Sequence, residues 1–372
     1  MAGCVFRPLP KIILNQKRKA SYILKNVISR NFASSGEIKS VILKEFGDPR
    51  KVLTMENTSV HPPSENEVLV KMLMAPINPS DINMIEGTYH IRPKLPCIVG
   101  NEGVGEVIEV GKNVKKFKCG DWVLPAEAAW GTWRQLAVTT EEKLLNIDND
   151  ISVLGAATIM VNPCTAYRML KDYVKLESGD VVIQNGANSA VGQCVIQLAK
   201  EWNIQTINII RNRPDIGGLQ KHLLGLGATH VVTEEFARSK DMKELINSYS
   251  QKPKLALNCV GGKNATELVR YLREKGTMVT YGGMSRQPVI IPTGALIFKE
   301  VKILGYWNTQ WNFENKASKE KQDMYKNLCE LLRNGKLLPP PSDLIPFTNF
   351  KEAIDKSLEG FQNQKKVLVM QD

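Results

Sequence analysis

From Pro163 onward the chain alternates short apolar runs with amphipathic stretches, and this alternation limits the possible fold more than any other feature. The apolar runs are "DVVIQN", "QTINIIR", "HVVTEE", "KLALNCVG", "GTMVTYGG" and "VKILGYW". Segments long enough for a helix lie between them. Parallel neighbours need such a crossover, and a parallel sheet covered on both faces keeps its strands apolar along their length. Five β-α repeats closing on a sixth strand predict an α/β chain with a doubly wound parallel sheet.

Ahead of that region, from Ile38 to about Leu145, the texture is β-rich: "KSVILKEFG", "NEVLVKMLMAPIN", "GVGEVIEVG", "DWVLPA" and "WRQLAV" are separated by Pro, Gly and Asn turns. A partly open barrel or sandwich fits such spacing, and "PINPSDINMIEGTYHIRPKLP" reads as a loop. Beyond residue 312 come two helix-like segments, "KQDMYKNLCELLRNGKL" and "FKEAIDKSLEG", then a last strand "KKVLVM". This tail is expected to fold back on the first domain. With 372 residues, 43% of them hydrophobic, the chain holds enough for two cores. The expected division is a leader over 1–36, a first domain over 37–160 completed by 312–372, and a nucleotide-binding domain over 161–311.

The formal charge of +11 is unevenly placed. Residues 1–36 hold seven basic side chains and no acidic one, and removing those seven leaves +4 for the rest. An Arg/Lys-rich, acid-free, Ser-containing start has the composition of a mitochondrial transit peptide, with a cut expected near Phe32 to Ser35. The mildly basic body argues against a nucleic-acid partner. Val181 to Ala199 is uncharged over 19 residues, yet it carries Gln184, Asn185, Asn188, Ser189, Gln193 and Gln197, so no membrane insertion is expected. Seven scattered cysteines without a CxxC pair predict neither a zinc lobe nor a disulfide framework.

"DVVIQNGANSAVGQCVIQLAK" is a strand, a small-residue turn and a helix. Its loop, Asn185 to Gly192, places backbone N–H groups where they can receive a pyrophosphate. Gly186 and Gly192 stand as the outer glycines of a stretched G-x-G-x-x-G. About 20 residues past the loop an NAD site wants an acidic residue for the ribose. Here Arg211 and Arg213 stand instead, a pair suited to a 2′-phosphate, so NADPH is the expected cofactor. Asp215 keeps a ribose contact open. "YGGM" at 281–284 and "GYWNTQW" at 305–311 follow the fifth and sixth strands, where ligands of such sheets bind.

"CIVGNEGVGEVIEVG" places Asn101 where a zinc-dependent alcohol dehydrogenase would have a histidine. The four histidines, at 61, 90, 222 and 230, show no metal-ligand spacing. No metal is expected.

"INPSDIN", "GNEGVGEVIEVG", "VNPCTAYRML", "LALNCVGG" and "VTYGGM" together resemble the zinc-free branch of the medium-chain dehydrogenase/reductase superfamily. More narrowly they are similar to the mitochondrial 2-enoyl thioester reductases, from about residue 38 to the C-terminus. The resemblance implies a Rossmann doubly wound sheet with a GroES-like, partly open β-barrel catalytic domain. It implies NADPH-dependent reduction of the C2–C3 double bond of trans-2-enoyl thioesters on acyl-carrier protein or CoA, in mitochondrial fatty acid synthesis. It also assigns the catalytic tyrosine to Tyr89. Cofactor contacts fall on Asn162, on Asn188, Ser189, Ala190 and Val191, and on Arg211, Asn212 and Arg213. Further contacts fall on Tyr281, Gly282, Gly283 and Met284, on Tyr306, Trp307 and Asn308, and on Lys365. Two positions depart from the family's pattern: Asn308 stands for a leucine and Tyr306 for a phenylalanine.

An α,β-unsaturated thioester can take up hydride at C3 and carry the charge as an enolate, so hydrogen-bond donors can stand in for a metal. A phenol keeps its proton at neutral pH, which suits Tyr89 to protonate C2, directly or through water. From the residues alone, an aromatic packing over the cleft is the other reading. His90, Arg92 and Lys94 form a candidate docking site for a CoA phosphate or an acidic carrier protein. A quinone or enone reductase is the alternative within the fold, and a non-catalytic nucleic-acid-binding or regulatory protein the alternative outside it. The sixth strand leaves a sheet edge that a homodimer would hide.

Overall fold

The computed structural model describes residues 37–360 and 364–370. The basic leader and its expected cut lie outside them. Strands β1 (Glu37–Leu43), β2 (Leu53–Ser59), which follows helix α1 (Pro49–Val52), and β4 (Cys97–Ile98) form a three-stranded sheet in the order β2-β1-β4. β2 was not expected, because "LTMENTS" is polar at most positions and only Leu53 is buried.

The long strand β3 (Glu67–Pro76) organises the next sheet. It pairs with β5 (Val104–Val110) and β7 (Leu136–Thr140), and β5 continues through β6 (Trp122–Pro125) to β8 (Leu144–Ile147). β7 begins three residues later than "WRQLAV" suggests, since Trp133 is drawn fully into the core and leaves the extended run.

The run over 76–96 is not simply a loop: Pro79–Ile85 forms helix α2. Proline, asparagine and aspartate are turn residues, but they are also helix-start residues. Here Asn78 is the N-cap, Pro79 takes the first turn, and the Asp81 carboxylate accepts the Asn78 N–H at 2.8 Å. Met84 and Ile85 then bury the helix against the first core.

After α3 (Val153–Ala157) and α4 (Asn162–Asp172) the parallel sheet begins. Its strands are β9 (Val181–Asn185), β10 (Gln205–Ile210), β11 (His230–Thr233), β12 (Leu255–Asn258), β13 (Thr277–Thr280) and β14 (Lys302–Gly305). Their order is β11-β10-β9-β12-β13-β14, all parallel, so strand succession reverses between β9 and β12. That reversal opens a crevice at the carboxyl ends. Every residue of β9 is buried, as a strand covered on both faces requires. The crossover helices are α5 (Ala190–Glu201), α6 (Ile216–Leu226), α7 (Glu234–Ala237), α8 (Lys240–Ser248), α9 (Gly262–Tyr271) and α10 (Thr293–Lys299).

The expected tail helices are present as α12 (Lys319–Arg333) and α13 (Phe350–Leu358), preceded by α11 (Asn308–Glu314), which was not foreseen. The chain then returns: β15 (Ser342–Pro346) pairs with β16 (Lys365–Val369), and β16 runs antiparallel to β3. Phe347, Phe350 and Ile354 close the core shared with Val70 and Trp133. Among the described residues no helix is long and apolar enough to cross a membrane.

Candidate active site

Tyr89 follows α2, and its backbone is fixed there: the N–H groups of Thr88 and Tyr89 both donate to the Asn83 carbonyl, at 2.9 and 3.0 Å. Trp307 comes from the other sheet, one residue past Tyr306, whose N–H donates to the Thr280 carbonyl at 2.9 Å. The indole Nε1 donates to the Tyr89 hydroxyl at 2.8 Å, and Thr309 Oγ1 stands 3.5 Å from the same oxygen. An indole N–H can only donate. The Tyr89 oxygen is therefore the acceptor, and its own hydrogen is left for another partner. His90 packs edge-on against the Trp307 ring, centroids 5.1 Å apart.

Behind Tyr89 lies a polar network that sequence reasoning did not assign. The Asn101 amide Nδ2 donates to Asp81 Oδ1 at 2.6 Å, and its Oδ1 accepts the Ala129 N–H at 2.7 Å. Asn78 Nδ2 and the Val161 N–H each donate to Glu102 at 2.8 Å, and Lys365 Nζ donates to Asn78 Oδ1 at 2.5 Å. Burial pushes the Asp81 and Glu102 carboxyls up and the Lys365 amine down, while their facing charges pull each back. Gly100 makes the turn at φ +100°, where an added Cβ would collide with Thr132 and the Trp133 indole. Both polar ends of Asn101 are thus spent inside the protein, and the residue acts as a clip. Among the described residues no group of three or more His, Cys, Asp or Glu stands together as a metal site would need.

The crevice is floored by an amide ladder across the strand ends, also unassigned from sequence. Asn185 Nδ2 donates to Asn258 Oδ1 at 2.9 Å, and Asn258 Nδ2 donates to Thr280 Oγ1 at 3.1 Å. The residue type ending "VVIQN" and "LALN" was the available signal. Above the ladder, Ser189 caps α5, its Oγ accepting the Gly192 N–H at 3.1 Å and its carbonyl the Gln193 N–H at 2.9 Å. Of the first-turn amides, those of Ala190 and Val191 remain at the positive end of the helix. A Cβ on Gly192 would sit 2.5 Å from the Ala187 carbonyl, so only glycine lets Asn188 and its neighbours fold back so tightly.

The turn from Tyr281 through Gly282 and Gly283 to Met284 packs on the end of β12, with the Met284 N–H donating to the Cys259 carbonyl at 3.1 Å. Asn162 opens α4 and is only 6% exposed, yet its Nδ2 has no hydrogen-bond partner. Arg211 and Asn212 are exposed just past β10, with Arg213 half-buried beside them. Burial, and then the charge of Arg211, push the Arg213 guanidinium down. Asp215 caps α6, its Oδ1 accepting the Gly218 N–H at 3.3 Å. A buried amide donor without a partner, open first-turn amides and two crowded guanidiniums fit a dinucleotide carrying a 2′-phosphate.

The side chains of Tyr306 and Asn308 do not present themselves to this crevice. The Tyr306 hydroxyl donates to Asn308 Oδ1 at 2.9 Å, and Asn308 Nδ2 donates to the Met160 carbonyl at 3.1 Å. The Asn308 amide is thus used internally, as partner to Tyr306, the other departure from the family's pattern. Lys365 sits in the network around Asn78.

Two family models match, the alcohol dehydrogenase GroES-like domain over residues 64–155 and the zinc-binding dehydrogenase over 190–327. The enoyl-[acyl-carrier-protein] reductase, mitochondrial, of Xenopus tropicalis is 50% identical over 340 residues, covering 91% of this chain and 97% of the relative. The protein of the same name in Homo sapiens is 47% identical over 338 residues, 91% of this chain and 90% of its own. Among solved structures, the mitochondrial 2-enoyl thioester reductase Etr1p/Etr2p heterodimer from Candida tropicalis superposes with a TM-score of 0.83 at 37% identity, covering 90% of this chain and 99% of that one. A complex of Etr1p with NADP and crotonyl-CoA gives 0.84 at 36% identity with the same coverage.

Proposed function

The chain belongs to the mitochondrial enoyl-[acyl-carrier-protein] reductases, and we propose that within this family Tyr89, held by Trp307, is its proton donor. It is an NADPH-dependent oxidoreductase of the mitochondrion that reduces the C2–C3 double bond of trans-2-enoyl thioesters. NADPH, when bound, supplies the hydride for C3. The chain's own residues bind, orient and protonate. Tyr89 delivers a proton to C2, and the Trp307 N–H, by occupying the phenol oxygen, turns the O–H toward the substrate and steadies the phenolate that forms. Asn101, Asp81 and Asn78 hold α2, which carries Tyr89.

Ala190 and Val191, with Asn188 and Ser189, take the pyrophosphate. Arg211, Asn212 and Arg213 take the 2′-phosphate. Asn162, Tyr281 to Met284, the backbone of Tyr306 to Asn308, and Lys365 surround the nicotinamide end. Acyl-carrier protein and CoA are both accepted carriers in this reading, with His90, Arg92 and Lys94 beside the entrance to meet a phosphate. The protein is a homodimer paired through the β14 edge, where Leu304 is 43% exposed and Phe298 of α10 is 80% exposed.

The single observation that carries the reading is the Trp307-to-Tyr89 hydrogen bond between the turn after β14 and the segment after α2. Its test is NADPH oxidation by the full chain with trans-2-enoyl-CoAs of graded length and with a quinone, a metal chelator present. Chelator-resistant reduction of the enoyl-CoAs is expected. Reduction of the quinone alone would overturn it.

A further inference from the structure

Trp307 stands between Tyr306 and Asn308, and both neighbours are tied down by their side chains. The Tyr306 hydroxyl donates to Asn308 Oδ1 at 2.9 Å, and Asn308 Nδ2 donates to the Met160 carbonyl at 3.1 Å. Since a carbonyl can only accept, the Asn308 amide has one orientation that serves both partners. Tyr306 is 8% exposed, so its hydroxyl lies where water does not replace a lost partner.

Bonds to the backbone hold the same turn. The Tyr306 N–H donates to the Thr280 carbonyl at 2.9 Å, the Gly305 carbonyl accepts the Tyr173 hydroxyl at 2.7 Å, and the Asn308 carbonyl accepts Asn312 Nδ2 at 2.9 Å. The Tyr173 ring packs edge-on against Tyr306, centroids 6.3 Å apart, and the Arg168 guanidinium of α4 lies 4.5 Å over the Trp311 ring, one turn along α11. Trp307 is the N-cap of α11 in an extended conformation, φ −126° and ψ 105°, yet it makes no side-chain cap bond. Its indole is spent on the Tyr89 hydroxyl instead. The segment around α4 thus grips the turn on both sides of Trp307, and the direction of the indole follows from that grip.

We propose that Tyr306 and Asn308 are positioning residues for the protonation step: their hydrogen bond fixes the backbone on either side of Trp307, and with it the N–H that occupies the Tyr89 oxygen. The inference rests on the reading of Tyr89 as a proton donor held by Trp307 and adds the support behind it. A displacement of about 1 Å is enough to break a bond of this kind, and misplacement of that size near a reacting group can cost about 10²-fold in rate. The contacts of the Tyr89 hydroxyl are Trp307 and Thr309. Tyr306 and Asn308 therefore act on turnover through Trp307.

The experiment measures kcat and KM of the full chain with crotonyl-CoA and NADPH for Tyr306→Phe, Asn308→Leu and the two combined, each with Trp307 in place and with Trp307→Phe. With Trp307 in place, each single change should lower kcat about two- to tenfold and leave KM for NADPH little changed. The combination should cost no more than the worse single change, because the pair acts as one unit. In the Trp307→Phe background, already about tenfold slower, neither change should lower kcat further. Tyr306→Phe removes one oxygen only and decides by itself should Asn308→Leu fail to fold. Unchanged kcat in Tyr306→Phe, or an equal loss with and without the indole, while Trp307→Phe alone is slow, would overturn this proposal and leave the reading beneath it standing. Full turnover in Trp307→Phe would overturn both.

Discussion

Trp307 Nε1 lies 2.8 Å from the Tyr89 hydroxyl, a bond between residues 218 apart in sequence that joins the segment after α2 to the turn after β14. Tyr89→Phe removes the proton and should lower kcat by about 10²–10⁴-fold with KM for the enoyl thioester little changed. Trp307→Phe keeps a ring but loses the N–H, and about a tenfold fall in kcat is expected. Steady-state kinetics on crotonyl-CoA check both, and unchanged turnover in Tyr89→Phe would remove the donor role.

Asn101→Ala leaves the Asp81 carboxylate without its 2.6 Å donor and frees the Ala129 N–H. A loss of about 1–3 kcal/mol is expected for a buried acceptor so deprived. Burial already raises the Asp81 carboxyl, with the Asn78 and Asn101 donors opposing it, and losing one donor raises it further. A carboxyl raised in the folded state contributes stability below the unfolded pKa and loses it as pH rises through the folded one. The Tm deficit of Asn101→Ala should therefore be small in acid, below the ordinary carboxylate range, and grow toward neutrality. A deficit independent of pH between those limits would contradict the clip.

The parallel sheet was legible because burial on both faces writes itself into the strands as unbroken apolar runs. The strand, tight turn and helix around the candidate phosphate loop were legible because small residues separate an apolar run from an amphipathic one, as β9 and α5 show. The Asn101–Asp81 clip was not, since Asp81 lies 20 residues away and its partner is chosen by the packing of α2. The same holds for the Asn185–Asn258 ladder, whose members sit 73 residues apart and meet only because β9 and β12 are neighbours. The pairing of the Asn308 amide with the Tyr306 hydroxyl and the Met160 carbonyl was hidden for a related reason: it depends on how the turn after β14 packs on the segment before α4.

Arg211→Ala with Arg213→Ala should separate NADPH from NADH. Removing both guanidiniums withdraws charge-assisted bonds to a 2′-phosphate, each about 1.5–3 kcal/mol, so KM for NADPH should rise by about 10²-fold or more. KM for NADH, which lacks that phosphate, should shift little. Asp215 caps α6 and is retained, so the helix should stay intact by circular dichroism. Equal losses with both cofactors would place the pair elsewhere than at the 2′-phosphate.

Phe298→Glu tests the proposed dimer edge. Ile297 is 62% and Phe298 80% exposed on α10, beside an edge strand whose Leu304 is itself 43% exposed. On a two-fold interface each substitution counts twice, once per protomer. Losing burial of a large apolar side chain forfeits about 1.5–3 kcal/mol per copy, so association should weaken by at least about 3 kcal/mol, roughly a 10²-fold rise in Kd. Introduced carboxylates facing each other across the axis add repulsion to that loss. Sedimentation should therefore show a dimer for the unmodified chain and a shift to monomer for Phe298→Glu at micromolar concentration. An unmodified chain that sediments as a monomer would leave the β14 edge and α10 without the assigned partner, whatever the variant does.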